Sequence, residues 1–278
     1  MAHYFDTVLL PRVKKVTFSP EWKNGRPARL ATPEEAERSP RIVKVVRLES
    51  YEDTLNNLVV RRPEEVQRLL DENTDGGPNA AREDYVIRYM LDVETGDSPS
   101  LLDLSAFLDP SAYRLKVKRP GSDESREVAV DLVETFNWLL GLRVRSMSAA
   151  RRYDAGCGDA GPGHSTATVA LTETADGPWW FRTVEGLLPD DRRALVIWRN
   201  RPGGDEPGGI ERDNSVLDAW FKQSGHDARQ ADFDLIYANG DHNLDSLKET
   251  DQTWTGHTIE DHFRRLMFED ADEGAGAW

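Results

Sequence analysis

The stretch that most constrains the fold is residues 233–247, Phe-Asp-Leu-Ile-Tyr-Ala-Asn-Gly-Asp-His-Asn-Leu-Asp-Ser-Leu. Its first six residues are apolar apart from Asp234, the pattern of a short buried strand, and Asn239-Gly240-Asp241 breaks the run. Behind the break, Asn243 or Asp245 stands where a short helix takes its cap. Residues 194–198 form a second apolar run. Between the two, Val216, Leu217, Trp220 and Phe221 recur at helical spacing over residues 214–222, with Asp213 as the expected N-cap. Strand, helix and strand in this order make a crossover unit, so the two strands are expected to be parallel.

Upstream, both periodicities occur. Residues 4–16 place Phe5, Val8, Leu9, Val13 and Val16 on one helical face, with Arg12, Lys14 and Lys15 crowding the last turn. Pro11 is expected to bend or restart this helix. A helix at the first residues, with no preceding element to pack on, is what a piece of a longer chain would show. Residues 19–29 form a turn-rich basic connector, and Thr32-Pro33-Glu34-Glu35 combines a capping Thr, a first-turn Pro and a capping-box Glu. Residues 42–48 alternate as a strand would. Ser50-Tyr51-Glu52-Asp53 opens a helix through Leu58, residues 63–73 form an amphipathic helix, and residues 85–93 suit helix or strand equally. Residues 113–118 and 126–130 are the arms of a hairpin. Leu132, Val133, Phe136, Leu139 and Leu140 line one face of a helix closed by Gly141. Strands are expected at 143–146, 167–171 and 179–184, and a last helix runs from Ile259 to Phe268 with Thr258 as its cap. The expected fold is α/β: a mixed sheet with a C-terminal parallel βαβ unit and an antiparallel middle section, flanked by helices.

A chain of 278 residues can bury a core in one large domain or two small ones. Its net charge of −15 opposes a free-standing nucleic-acid clamp. The charge is uneven, because residues 1–48 hold ten Lys/Arg against five Asp/Glu. Residues 269–278 begin with an acidic run and are expected to form a disordered tail. The single Cys157 excludes an intramolecular disulfide framework and a multi-thiolate zinc site. No apolar run approaches the ~18 residues of a membrane span. With neither a basic leader nor an apolar core in the opening residues, the cytoplasm is the expected location.

Several motifs point to chemistry and are outweighed by plainer readings. Gly156-Cys157-Gly158-Asp159-Ala160-Gly161 matches G-x-G-x-x-G, but Arg151-Arg152-Tyr153-Asp154 before it is no buried strand and Pro162-Gly163 behind it opens no helix; a surface loop is expected. Asp109-Pro110-Ser111-Ala112-Tyr113 approaches the Asp-Pro-Pro-Tyr motif of amino-methyltransferases, yet it lacks the second Pro and sets Tyr one residue too far; it reads as a turn entering a strand. His257 and His262, five apart at a helix start, are expected to diverge, without metal-ligand spacing. Trp179-Trp180-Phe181 reads as a strand between two packed layers. Asn239, Asp241 and His242 lie where a strand of an open α/β sheet ends, the usual position of a ligand crevice. Arg12, Lys14, Lys15, Lys23, Arg26 and Arg29 are the candidates for phosphate contact. By residue chemistry alone no activity is declared.

Five stretches carry a resemblance: Tyr4-Phe5-Asp6-Thr7-Val8-Leu9-Leu10-Pro11-Arg12-Val13-Lys14-Lys15-Val16, Ser19-Pro20-Glu21-Trp22-Lys23-Asn24-Gly25-Arg26-Pro27, Leu48-Glu49-Ser50-Tyr51-Glu52-Asp53-Thr54-Leu55-Asn56-Asn57-Leu58, Glu134-Thr135-Phe136-Asn137-Trp138-Leu139-Leu140-Gly141-Leu142 and Tyr237-Ala238-Asn239-Gly240-Asp241-His242-Asn243-Leu244. They resemble the C-terminal part of Mod-type site-specific DNA adenine-N6 methyltransferases of type III restriction–modification systems, the first and third most specifically. The resemblance implies methyl transfer from S-adenosylmethionine to adenine N6 in DNA, a multimeric Mod assembly and a Res restriction subunit as a further partner. The family's Asp-Pro-Pro-Tyr and Phe-x-Gly-x-Gly motifs lie upstream of the matched region and do not occur here. No catalytic or cofactor-binding residue is therefore carried over, and the chain alone is expected to hold no cofactor and to be inactive. On this reading residues 1–18 end a truncated methyltransferase domain, 19–80 are a basic connector with helices, and 81–268 are an accessory α/β domain. That domain would serve subunit contacts and DNA positioning, with the missing methyltransferase half and DNA as partners and no membrane. The alternatives are a non-catalytic module that docks onto a separately encoded methyltransferase half, and a small-ligand α/β domain using Asp241 and His242.

Overall fold

The computed structural model describes residues 4–38, 41–59, 95, 98–119, 122, 124–157, 169–204, 206–249 and 252–268. The expected elements at 63–73 and 85–93, the boundary near 80 and the acidic tail lie outside the described residues. The chain divides into two compact units, residues 1–57 with 116–128, and residues 58–115 with 129–278.

The first unit is built from short, local elements. A π-helical turn, Phe5–Leu9, runs into α1, Leu10–Phe18. The change of pitch falls where Pro11, which has no N–H to donate, enters the helix. No side chain of either segment is buried. Strands β1, Glu21–Lys23, and β2, Arg26–Arg29, form a hairpin over Asn24 and Gly25, both at positive φ. Helix α2, Pro33–Arg38, opens with the expected capping box: Glu35 N–H donates to Thr32 Oγ1 at 3.3 Å and Thr32 N–H to Glu35 Oε2 at 3.0 Å.

Residues 42–48, expected as a strand, have no regular structure, and Ile42 is 93% exposed. Alternation alone is insufficient, because no described strand supplies a ladder for them. Helix α3, Tyr51–Asn56, takes Ser50 as its N-cap and stops two residues before Leu58. Its C-terminal Asn57 exchanges two hydrogen bonds with Lys116, of 2.8 and 2.9 Å, and Asp53 accepts from Lys118 N–H. These bonds tie the helix to β3, Arg114–Lys118, which forms the expected hairpin with β4, Ser125–Ala129.

The second unit carries the core. Helix α4, Leu132–Leu139, is capped by Asp131 and closed by Gly141 at φ +62°. A seven-stranded mixed sheet follows: β5 (Arg143–Met147), β6 (Arg151–Cys157), β7 (Val169–Glu173), β8 (Trp179–Leu187), β9 (Arg193–Arg199), β10 (Leu235–Ala238) and β11 (Thr255–Thr258). Its spatial order is β11-β10-β9-β8-β6-β7, with β5 also paired to β8. The pairs β9–β10 and β10–β11 are parallel and the others antiparallel. The α/β class and the C-terminal parallel unit are those expected.

Two elements differ from expectation. Arg151–Cys157 is a strand, so Gly156 and Cys157 are not part of the expected loop, whose residues 158–161 lie outside the described residues. The sequence of the strand has no apolar run, but Tyr153 and Ala155 pack on one face once β7 and β8 pair with it. Asp213 is no N-cap, because α5 starts earlier and spans Gly209–Gln223. Buried within α5, Asp213 accepts from Trp179 Nε1 at 2.8 Å and from Gly203 N–H at 3.0 Å.

Both faces of the sheet are covered, so successive residues of β9 enter different cores. Ala194, Val196 and Trp198 face α4 and the last helix α6, Ile259–Phe268, with Phe136, Tyr237 and Phe263. Leu195 and Ile197 face α5, with Leu217, Trp220, Phe221 and Trp254. Each fully buried large apolar side chain contributes about 1.5–3 kcal/mol. Trp179-Trp180-Phe181 spans the two layers as expected, with Trp180 in the first core and its neighbours in the second.

Candidate functional site

The C-terminal ends of the parallel strands converge on Asn239, Arg199 and the first turn of α6. Asn239 is fully buried, and its side chain extends the β9–β10 ladder. Oδ1 accepts from Arg199 N–H at 2.8 Å, while Nδ2 donates to the carbonyls of Arg199 at 2.9 Å and Phe107 at 3.3 Å. Both amide donors are engaged, so Asn239 closes the sheet end. Asp241 projects an exposed carboxylate and uses its carbonyl to accept from Arg199. The His242 ring is wedged against β11, with Nε2 3.2 Å from the His257 carbonyl, and burial pushes it toward the neutral form.

Arg199 is the centre of this region, and the sequence reading passed over it. It is 1% exposed, and its guanidinium donates to the carbonyls of Asn239, Asp213 and Asp241 and to Asn214 Oδ1, at 2.9–3.1 Å. Desolvation, then the neighbouring Arg201, pushes its pKa down to about 10, against the pull of Asp213, Glu260 and Asp218. Glu260 accepts from Gly240 N–H at 2.7 Å, and burial raises its carboxyl. Gly240 is required here: it has φ +76°, and a Cβ would come within 2.5 Å of the Arg201 side chain.

The phosphate-contact candidates all lie in the first unit and all are exposed. Arg29 is committed, however, with its guanidinium bridging Glu21 and Glu35 at 2.7–3.2 Å, which raises its pKa. Arg12, Lys14, Lys15, Lys23 and Arg26 make no described ion pair.

The remaining motifs resolve as structure. Asp109 Oδ1 accepts from Ser111 N–H and Oγ and from Trp180 Nε1, capping a 3-10 turn, and Tyr113 is buried with its hydroxyl donating to Pro99 O at 2.6 Å. This is the expected turn into a strand. His257 and His262 do not diverge: one lies on β11 and the other on α6, and their rings meet at 4.7 Å beside Tyr237. The strand-to-helix corner folds them together, which counting along a single helix missed. No group of three or more His, Cys, Asp or Glu among the described residues is placed to hold a metal. Likewise, no described helix is long and apolar enough to cross a membrane.

An open groove of about 820 Å³ lies in the second unit, where the α4 face of the sheet continues past the helix. Trp180, Arg152 and Arg182 contribute to its lining, beside Asp131, Leu132 and Ser111. A signal for it was available, because residues 135–153 contain Arg143, Arg145, Arg151 and Arg152 and no Asp or Glu. Comparison with protein-family models, curated proteins and solved structures finds no match.

Proposed function

We propose that this chain is the C-terminal portion of a S-adenosylmethionine-dependent, Mod-type DNA adenine-N6 methyltransferase, acting in the cytoplasm and serving subunit contacts and DNA positioning rather than chemistry. The observation that carries the reading is α1 with its preceding turn. It is among the stretches with the most specific resemblance, and none of its side chains is buried. Leu9, Val13, Val16 and Phe18 remain exposed, beside the cations of Arg12, Lys14 and Lys15. An amphipathic helix with an uncovered apolar stripe is suited to docking on another folded surface. On this reading that surface is the methyltransferase half that carries the Asp-Pro-Pro-Tyr and Phe-x-Gly-x-Gly motifs. The same helix serves the alternative of a docking module for a separately encoded half.

Calorimetric titration with S-adenosylmethionine tests the reading, on the purified chain and then on the chain mixed with a polypeptide carrying those two motifs. Heat only in the mixture, with methyl transfer to adenine N6 that requires both components, is the expected result. Heat from this chain alone would overturn the non-catalytic assignment. A mixture that neither forms a complex nor methylates DNA would overturn the methyltransferase reading itself.

A further inference from the structure

The groove beside α4 offers positive charge in an acidic molecule. On β8, Trp180 and Arg182 are two residues apart and project from the same face, and the register sets Arg152 of β6 directly opposite Trp180. Both guanidiniums are held by neutral acceptors. Arg152 donates to the Gly177 carbonyl at 3.1 Å, and Arg182 donates to the Ser148 carbonyl at 3.3 Å and to Met147 Sδ at 2.7 Å. Neither has a carboxylate partner among the described residues, whereas Arg151 beside them is paired with Glu173. The acids of the lining have partners of their own: Asp131 caps α4 and Glu173 pairs with Arg151, while the neighbouring Asp109 caps its own turn and accepts from Trp180. Two oriented cations with remaining donors therefore face an open channel, where three arginines, Arg151, Arg152 and Arg182, outnumber the two carboxylates of the lining, Asp131 and Glu173. Such an arrangement suits phosphate oxygens, which guanidinium forks bind with two donors at a time. Trp180 is only 5% exposed, so the groove has no aromatic platform for stacking bases; recognition rests on the backbone.

We propose that this groove binds one sugar–phosphate strand of DNA, with Arg152 and Arg182 each contacting a phosphate. The inference rests on the DNA-positioning role proposed above, but it places the contact in the second unit rather than on the α1 cations.

The test is fluorescence anisotropy of a labelled DNA duplex, and of one of its strands alone, with the complete chain over a salt series. R152Q and R182Q are compared with R152K and R182K, and with a K14Q/K15Q variant. Each Gln substitution is expected to weaken binding about three- to tenfold at low salt and to reduce the log–log salt slope by about 0.7–0.9, whereas the Lys variants retain most of both. Since both arginines also tether loops, circular dichroism must show each variant folded, and rescue by Lys separates charge from packing. Full binding by R152Q/R182Q, with loss in K14Q/K15Q, would overturn the groove and leave the methyltransferase reading standing. No binding of either DNA by the unmodified chain would overturn the groove as well. The methyltransferase reading stands or falls separately, on cofactor binding by the mixture.

Discussion

Arg199 is a cation held in the interior by oxygen atoms without full charge. It places four of its five N–H donors on three carbonyls and one side-chain amide, so its direct partners are neutral oxygens and the carboxylates of Asp213, Glu260 and Asp218 act on it only through space. The histidines behave differently. Burial first, then the adjacent His257 and Arg265, pushes His262 from the ordinary 6.5 down to about 4, with Asp261 opposing. A histidine whose folded pKa is depressed binds its proton more readily when the chain is unfolded. Its contribution is therefore complete above about 6.5 and declines as the pH falls toward about 4. His257, His242 and His226 are depressed in the same direction by burial. Urea midpoints measured from neutral pH down to pH ~4 should fall, and less steeply for His262→Asn. A His262→Asn profile parallel to the unmodified one would contradict this assignment.

Between elements, the decisive contacts are those that end strands. Asn239 carries the β9–β10 ladder one step past the last residue of β10, to both main-chain polar groups of Arg199. Replacing it with Leu removes the partner of the buried Arg199 N–H and of two carbonyls, those of Arg199 and Phe107, at a cost of about 2–4 kcal/mol. Denaturant unfolding should record that loss, and hydrogen exchange should show the Arg199 amide among the most accelerated. Full protection at Arg199 in N239L would show that another group closes the sheet. This role was hidden in the sequence, where Asn-Gly-Asp after an apolar run denotes a turn and a crevice edge. The partner of Asn239 lies forty residues upstream and is reached only when β9 and β10 pair in parallel. Strand β6 was illegible for a similar reason: Arg151-Arg152-Tyr153-Asp154 contains no buried run, and its place is set by strands on both sides of it.

At the scale of the second unit, one sheet is shared by two cores, so damage to either should be felt by both. Phe136 on α4 and Leu217 on α5 are fully buried on opposite faces. F136A should cost about 3–5 kcal/mol and L217A about 2–5 kcal/mol. In each variant, tryptophan emission and far-ultraviolet circular dichroism should shift together in one transition. Tryptophans lie in both layers, Trp198 in one and Trp220 in the other, so an emission transition in two steps, or one that departs from the dichroism, would show that the layers unfold independently. The sequence by itself determined the α/β class, the parallel crossover, the helix faces and most caps, because these depend on period, turn chemistry and neighbours a few residues apart. Only the tertiary structure decided that Asn239 latches the sheet rather than lining an open crevice, that His257 and His262 meet, and that Arg152 and Arg182 share a groove. Those three outcomes depend on strand register and on desolvation, and both arise only when residues far apart in the chain are brought together.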